Sequence, residues 1–351
     1  MKLEKLLENV EVVKWNCTSD FEIEGIKTHS REVENNDLFV CLEGINDDGN
    51  RHLSEIETTF VALTDKEPSD KNVKYVLVAN ARKAYAQVCE NKFLRPLDDM
   101  KLVTVVGTNG KTSTAHYLSQ MLEFAGYKTG VIGTEGHFIC GEKVGQSLTT
   151  PDPYELNELF FKMRAKGCDV VIAEVSAHAI YLEKLGDIKA DIGILTNVSQ
   201  DHLDYFKDFA NYRGVKMGYF ENGNAKIAVV NVDDESGRIL LQRLEKTKGV
   251  KSVSYGLKEP SDAFAIDVEE NIDGVKFVAN VFDDIVDVKS RLYGEFSVYN
   301  LLAAMTACKI LGISGETLAH AVRKVKNVKG RFSVLPCEKD LAHHRLWRRH
   351  K

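Results

Sequence analysis

The sequence predicts an α/β fold, with a small N-terminal α/β domain and a larger central phosphate-loop domain built on a mostly parallel sheet. Three observations predict it. From Lys101 onward, short runs rich in Val and Ile alternate with segments of helical spacing. Those runs are continuously apolar rather than alternating, as expected of strands covered on both faces. A chain of 351 residues has room for about two domains.

Asp37–Leu42, Phe60–Thr64 and Tyr75–Val78 read as strands, and Ala81–Phe93 as a helix that Asn80 is placed to cap. Arg95-Pro96-Leu97 breaks the pattern and is the candidate linker. The first domain is therefore drawn over residues 1–98 and the second over 99–332. The second opens with the strand Leu102–Val106 and the helix Ser113–Ala125, stopped by Gly126. Strand Gly130–Ile132, helix Tyr154–Lys166, strands Val170–Ala173, Ile192–Leu195 and Ile227–Val230, and helix Glu235–Glu245 follow. Between 264 and 292 the apolar residues alternate with period two around Asn271-Ile272-Asp273-Gly274, which predicts an antiparallel appendage. Helices near 297–312 and 315–326 complete the pattern. Residues 333–351 differ: they are basic and His-rich, with no clear periodicity.

Composition narrows the function. With 44% hydrophobic and 28% charged residues, the chain can bury ordinary cores and is not a disordered polymer. A net charge of −6 argues against a general nucleic-acid binder, whose affinity rests on phosphate neutralisation. No apolar run reaches the ~18–20 residues of a membrane span. The first eight residues carry acids and lack an apolar core, unlike a secretory signal. Seven scattered cysteines without a Cys-x-x-Cys pair argue against a disulfide framework or zinc site and fit the reducing cytoplasm.

The strongest chemical signal is Val103 to Ser113, where a buried strand runs into Gly107-Thr108-Asn109-Gly110-Lys111-Thr112 and then a helix. Gly107 and Gly110 let the backbone approach phosphate oxygens, and the helix N-terminus adds positive potential. Lys111 reaches terminal phosphates as a point charge, and Thr112 is placed to ligate Mg²⁺. Val105 stands where the usual six-spacing motif has its first Gly. Downstream, Glu174 ends one strand, and Gln200-Asp201-His202-Leu203-Asp204 follows the end of another. Alone, these read as a solvated strand end and a loop histidine. On successive strand ends beside a phosphate loop, they read as metal ligands.

These residues resemble the Mur ligases, most closely the E-type enzymes that add the third amino acid to UDP-MurNAc-L-Ala-D-Glu. The resemblance rests on Gly107–Thr112, Thr149-Thr150-Pro151, Glu174-Val175-Ser176-Ala177-His178-Ala179, Thr196 to Asp204, Gly294 to Asn300 and Gly330-Arg331-Phe332. Near the start, His29-Ser30-Arg31, Asn36 to Val40, Gly44 and Asp48-Gly49 match as well. It covers about residues 20–333. His29 replaces an Asp of the family pattern, and Ala177 a Ser.

The resemblance implies ATP-dependent amide ligation in peptidoglycan synthesis: ATP phosphorylates the substrate carboxylate, and the amine of lysine or diaminopimelate attacks the acyl phosphate. It implies that Gly107, Thr108, Asn109, Gly110, Lys111, Thr112, Ser113, Asn300 and Arg331 serve ATP. Ser30 would hold the uridine end, and Thr149, Thr150 and Ser176 the sugar-peptide part. Thr112, Glu174, His202 and Lys216 would hold Mg²⁺, with Lys216 matching the family's carbamylated lysine. Lys111, Lys216 and His202 would be the catalytic set. Leu182 and Lys184 stand where some members have Gln and Arg against the substrate; Lys184 keeps the charge without the planar fork.

A monomer in the cytoplasm, with no nucleic-acid partner, is expected. The family's third domain follows Gly-Arg-Phe, whereas here about 19 residues remain, so a chain that binds ligand without turnover is expected. With codons CAT CAT CGA TTA TGG, His343 to Trp347 read one base later gives Ile-Ile-Asp-Tyr, a family-like text, so the tail is expected to be frameshifted. Two alternatives stay open: a folylpolyglutamate-type synthetase on the same core, and a non-catalytic module binding nucleotide and UDP-sugar.

Overall fold

A computed structural model of the chain describes residues 1–44 and 47–331. Phe332 and the tail lie outside the described residues. The chain divides into two compact units. The first comprises Met1–Asp99, Pro151–Ala165 and His178–Ile188; the second holds Met100–Thr150, Lys166–Ala177 and the residues from Lys189 onward.

The first unit is built on a five-stranded sheet in the order Val12–Trp15, Tyr75–Val78, Phe60–Thr64, Asp37–Val40, Ile26–Lys27. The Val12–Trp15 pairing is antiparallel and the others are parallel. Both faces are covered. Leu38, Val61, Leu63 and Val76 pack with Tyr85 and Val88 on one side, and Phe39, Phe60 and Ala62 cluster on the other. The helix Ala81–Lys92 is capped as its sequence predicts: the Asn80 side chain accepts from the Lys83 amide at 3.0 Å.

The sequence reading put Pro151–Ala165 and His178–Ile188 in the second domain, whereas both pack with the first. Tyr154 meets Phe93 edge-to-face at 5.1 Å, and Arg164 donates to the Leu94 carbonyl at 3.1 Å. Asn80 donates to Glu183 at 2.6 Å, and Lys83 pairs with Asp187 at 3.1 Å. Such contacts bridge residues far apart in the chain and leave no local trace in sequence.

The second unit is built on an eleven-stranded sheet. Its central strand, Lys101–Val106, lies between Val170–Val175 and Ala190–Leu195, parallel to both. Strand order reverses about it, so ligands are directed to the crevice at the C-terminal strand ends. Helices Lys111–Phe124 and Glu295–Ile310 share a core: Ala115, Leu118 and Met121 of the first, Leu301, Leu302 and Met305 of the second.

Both sheet edges are antiparallel. Ala263–Asn271, Gly274–Val281 and Asp284–Ser290 form the predicted appendage, with Asn271 paired to Gly274. The other edge, Thr129–Gly133, Gly136–Ile139 and Glu142–Gly145, carries a meander whose polar, Gly-rich text conceals it. The helix Phe209–Glu221 contains Gly214 and Gly218, which lower its propensity. It forms because Asp208 caps it and Tyr212, Lys216, Met217 and Phe220 are buried. Among the described residues, no helix is long and apolar enough to cross a membrane.

Candidate active site

The site lies in the second unit, where the strand Lys101–Val106 gives way to the helix Lys111–Phe124. Two left-handed backbone positions shape the turn. Gly107 has φ 153° and Gly110 φ 86°; a Cβ would collide with the Thr196 hydroxyl at the first and with the Asn300 side chain at the second. Glycine is required here both by conformation and by close approach. Thr114 is the first helical amide to reach a turn carbonyl, that of Gly110 at 2.9 Å. The amides of Lys111, Thr112 and Ser113 therefore precede the intrahelical ladder, as an anion site needs.

The turn is braced from the next strand end. Thr196 Oγ1 and Asn197 Nδ2 donate to the Asn109 carbonyl at 2.6 and 3.0 Å. The Asn109 amide donates to Asn197 Oδ1 at 3.0 Å, and the Thr108 amide to the Asn197 carbonyl at 2.8 Å. The Thr108 hydroxyl donates to the Ser199 carbonyl at 3.2 Å and shares a hydrogen bond with the Tyr212 hydroxyl at 3.2 Å. Thr196 and Asn197 are thus supports of the loop, a role their motif alone does not disclose.

Glu174 is fully buried at the end of Val170–Val175. Its carboxylate accepts from the Thr112 hydroxyl at 3.0 Å, the Thr134 amide at 3.0 Å and the Thr134 hydroxyl at 3.1 Å. Arg331 Nη2 donates to Thr112 Oγ1 at 2.8 Å, and the same guanidinium lies 3.6 Å from Glu135. Burial raises the Glu174 pKa, opposed chiefly by the Lys111 charge. Burial lowers that of Lys111, with Glu174 opposing in turn. Thr134 is the residue the sequence reading missed; its signal is a hydroxyl residue directly after Gly133, at the end of the neighbouring strand.

Lys216 is almost fully buried, and its amine donates to the Gly107 carbonyl at 2.7 Å. Burial first, then the nearby Lys111 charge, holds its pKa well below the ordinary lysine value. Its amine also lies 4.8 Å from the Tyr212 ring centroid. Lys216 is therefore not a solvated surface residue. The His202 ring, half exposed, is 3.6 Å from Asp201 and 6.3 Å from the Tyr212 ring.

The remaining sequence-predicted residues fall in two places. Thr149 shares a hydrogen bond with Thr134 at 3.1 Å. Thr150 is buried; its hydroxyl donates to the Glu174 carbonyl at 2.9 Å and accepts from the Ser176 amide at 3.1 Å, fastening this segment to the strand end. Asn300 accepts from the Thr114 hydroxyl at 3.3 Å. Ser30 and Lys184 belong to the first unit. Ser30 opens a short 3₁₀ turn, and the Lys184 amine pairs with Asp152 at 2.8 Å. Among the described residues, no three His, Cys, Asp or Glu side chains gather as a metal cluster.

Comparison with known proteins decides the family. The Mur ligase middle domain model matches residues 105–308, more than half of the chain. A UDP-N-acetylmuramoyl-L-alanyl-D-glutamate–2,6-diaminopimelate ligase from Clostridium tetani (strain Massachusetts / E88) is 34% identical over 341 residues, covering 95% of this chain and 69% of that protein. The chain belongs to the Mur ligase family.

Mur ligases are ATP-dependent ligases. The fold agrees. A solved structure of a UDP-N-acetylmuramoyl-L-alanyl-D-glutamate–2,6-diaminopimelate ligase superposes with a TM-score of 0.83 at 20% identity, covering 96% of this Mur ligase and 69% of that chain. Folylpolyglutamate synthase from Mycobacterium tuberculosis, solved with ADP and AMPPCP, superposes at 0.60 with 16% identity, covering 72% of this chain and 64% of that one. The shared core alone therefore does not separate the two activities.

Proposed function

We propose that this Mur ligase binds UDP-MurNAc-L-Ala-D-Glu, the substrate to which a third amino acid is joined through an acyl phosphate in the cytoplasmic assembly of peptidoglycan precursors. The observation that carries the reading is the 34% identity to a ligase of that name over 95% of the chain. That relative's name favours diaminopimelate over lysine as the amino acid added.

In this reading the first unit holds the UDP-sugar, with Ser30 at the uridine end and Lys184 serving the sugar-peptide part. In the second unit Thr149 and Ser176 serve the sugar-peptide part, Thr150 holds that segment in place, and the phosphate loop holds ATP. Lys111 and the first-turn amides bind the terminal phosphates and draw charge from the transferring phosphoryl group. Arg331 and Asn300 fix the nucleotide against the loop.

The donor set fits Mg²⁺. A buried carboxylate and a hydroxyl, Glu174 and Thr112, stand 3.0 Å apart as hard oxygen ligands. His202 and a carbamylated Lys216 would complete the set. The ion's contribution is to neutralise phosphate oxygens. Carbamylation needs a neutral amine, which the depressed Lys216 pKa favours: the N–C bond to CO₂ forms, a C–O π bond opens and a proton leaves.

The test is a melting shift with UDP-MurNAc-L-Ala-D-Glu beside a folate. Stabilisation by the UDP-sugar alone is expected, with RT ln(1 + [L]/Kd) setting its size. Stabilisation by the folate alone would overturn the reading in favour of the folylpolyglutamate class. Carbonyl-labelled bicarbonate tests Lys216 separately: a carbamate carbon signal absent from Lys216→Met is expected, and equal spectra would refute the modification.

A further inference from the structure

Outside the site, two thiols meet. The Sγ atoms of Cys140 and Cys168 lie 4.0 Å apart, the one sulfur–sulfur contact among the described residues. Both belong to the second unit. Cys140 is exposed and Cys168 buried. Cys140 is the first central residue of the two-residue turn joining Gly136–Ile139 to Glu142–Gly145, where Ile139 pairs with Glu142. Both central residues have positive φ, 49° at Cys140 and 80° at Gly141, the pattern of a type I′ turn. Such a turn prefers Asn, Asp or Gly, because a side chain strains the left-handed conformation. A cysteine gains nothing locally there. What the position does is bring its sulfur to Cys168.

Both cysteines are tied to one pair of strands. The Cys140 amide donates to the Thr129 carbonyl at 2.8 Å, and Val170, two residues after Cys168, pairs with Thr129. The pair therefore sits at the N-terminal end of Val170–Val175, away from the end that carries Glu174 and faces the phosphate loop.

We propose that Cys140 and Cys168 form a reversible thiol–disulfide site, closed by two-electron oxidation with a hydroperoxide. The Cys140 thiolate attacks the peroxide: an S–O bond forms, the O–O bond breaks, and hydroxide leaves to be protonated. Cys168 then attacks the sulfenic sulfur: the S–S bond forms, the S–O bond breaks, and the second water departs with the Cys168 proton. Two thiols are oxidised and one hydrogen peroxide is reduced to two waters. The sulfurs must close by about 2 Å to reach disulfide length, a displacement that rotation of the exposed Cys140 side chain can supply.

The order of events follows from burial. The Cys168 thiol is pushed up to about 12 by burial first and by charge on Cys140 second. The exposed Cys140 is thus the attacking group, and its conversion to uncharged sulfenic acid removes one of the forces holding the proton on Cys168. Because the bond forms away from the phosphate loop, oxidation stiffens the sheet edge and leaves nucleotide affinity as it was.

The experiment treats the whole chain with hydrogen peroxide at neutral pH, alkylates the remaining thiols, and maps peptides without reduction. The expected result is a Cys140–Cys168 cross-linked peptide lighter by two hydrogens, separated by dithiothreitol, with two alkylatable thiols lost per chain. Cys168→Ser should stop at a sulfenic acid on Cys140 that dimedone traps. Cys140→Ser, at an exposed position, should leave Cys168 fully alkylatable under the same dose. Cys140 driven to sulfinic acid while Cys168 stays alkylatable would overturn the proposal, as would Cys140 joined to any other cysteine.

Discussion

Lys111 and Lys216 donate to the same oxygen: their amines reach the Gly107 carbonyl at 2.9 and 2.7 Å. They come from different helices and approach a turn that already concentrates backbone dipoles. Two ammonium groups on one neutral acceptor repel; among the described residues Glu174 opposes the shift at Lys111, while Asp201 acts on both. Burial first, then the Lys111 charge beside it, therefore holds the Lys216 pKa well below the ordinary lysine value.

The sign of its effect on stability follows. A depressed lysine pKa means that the unfolded chain binds a proton that the folded chain refuses, so stability falls as pH drops below the ordinary value of 10.5. In CO₂-free buffer, Lys216→Met should melt above wild type at neutral pH, and the difference should shrink as pH rises toward 10.5. Parallel melting curves across that range would refute a neutral buried amine.

Lys111→Ala removes the charge aimed at the terminal phosphates. A hydrogen bond to a charged group is worth about 1.5–3 kcal/mol, so ATP affinity should fall roughly 10- to 100-fold. Side-by-side nucleotide titrations check it. Equal dissociation constants would show that the turn is not a phosphate site.

How much of this was legible in sequence depends on distance along the chain. The loop and its helix are contiguous, so strand, Gly-x-x-Gly-Lys-Thr and helix could be read directly. Glu174 was legible because an acid at a strand end has few places to go in a parallel sheet. That Arg331 reaches Thr112, 219 residues away, and that Asn300 reaches Thr114, 186 away, is set by packing alone. The burial of Lys216 was hidden for a similar reason: the face of its helix that packs inward is visible only in three dimensions. Thr134 was missed because its strand turns into a hairpin that polar text conceals.

The two kinds of glycine separate strain from contact. Gly110 has φ 86° with Asn300 against its Cα, whereas Gly126 has φ 92° with nothing within 4 Å. Each Ala substitution incurs the left-handed penalty of roughly 1–2 kcal/mol. Gly110→Ala must also displace Asn300, so it should weaken ATP binding, while Gly126→Ala should lower the melting temperature and leave affinity unchanged. Equal effects of the two on affinity would contradict the close packing of the loop.

His116 supplies a pH prediction outside the ligand set. Its Nε2 is buried with no hydrogen-bond partner among the described residues, and its ring meets Phe138 edge-to-face at 5.1 Å. Burial is the main force lowering its pKa from the usual 6.5; the Arg331 charge acts in the same sense and Glu135 against it. The folded chain thus refuses a proton that the unfolded chain accepts below 6.5, and by linkage stability is lost as pH falls from there toward the folded pKa. Replacement by Met removes both the orphaned nitrogen and the titration while keeping an apolar neighbour for Phe138. His116→Met should therefore melt at or above wild type at pH near 7, and the gap should widen as pH falls below the usual 6.5. Denaturant unfolding at several pH values measures it, since the midpoint reports stability and the slope reports whether the same surface is exposed. A constant gap across that range would mean that His116 takes up its proton equally in both states, and that its burial has no consequence for acid stability.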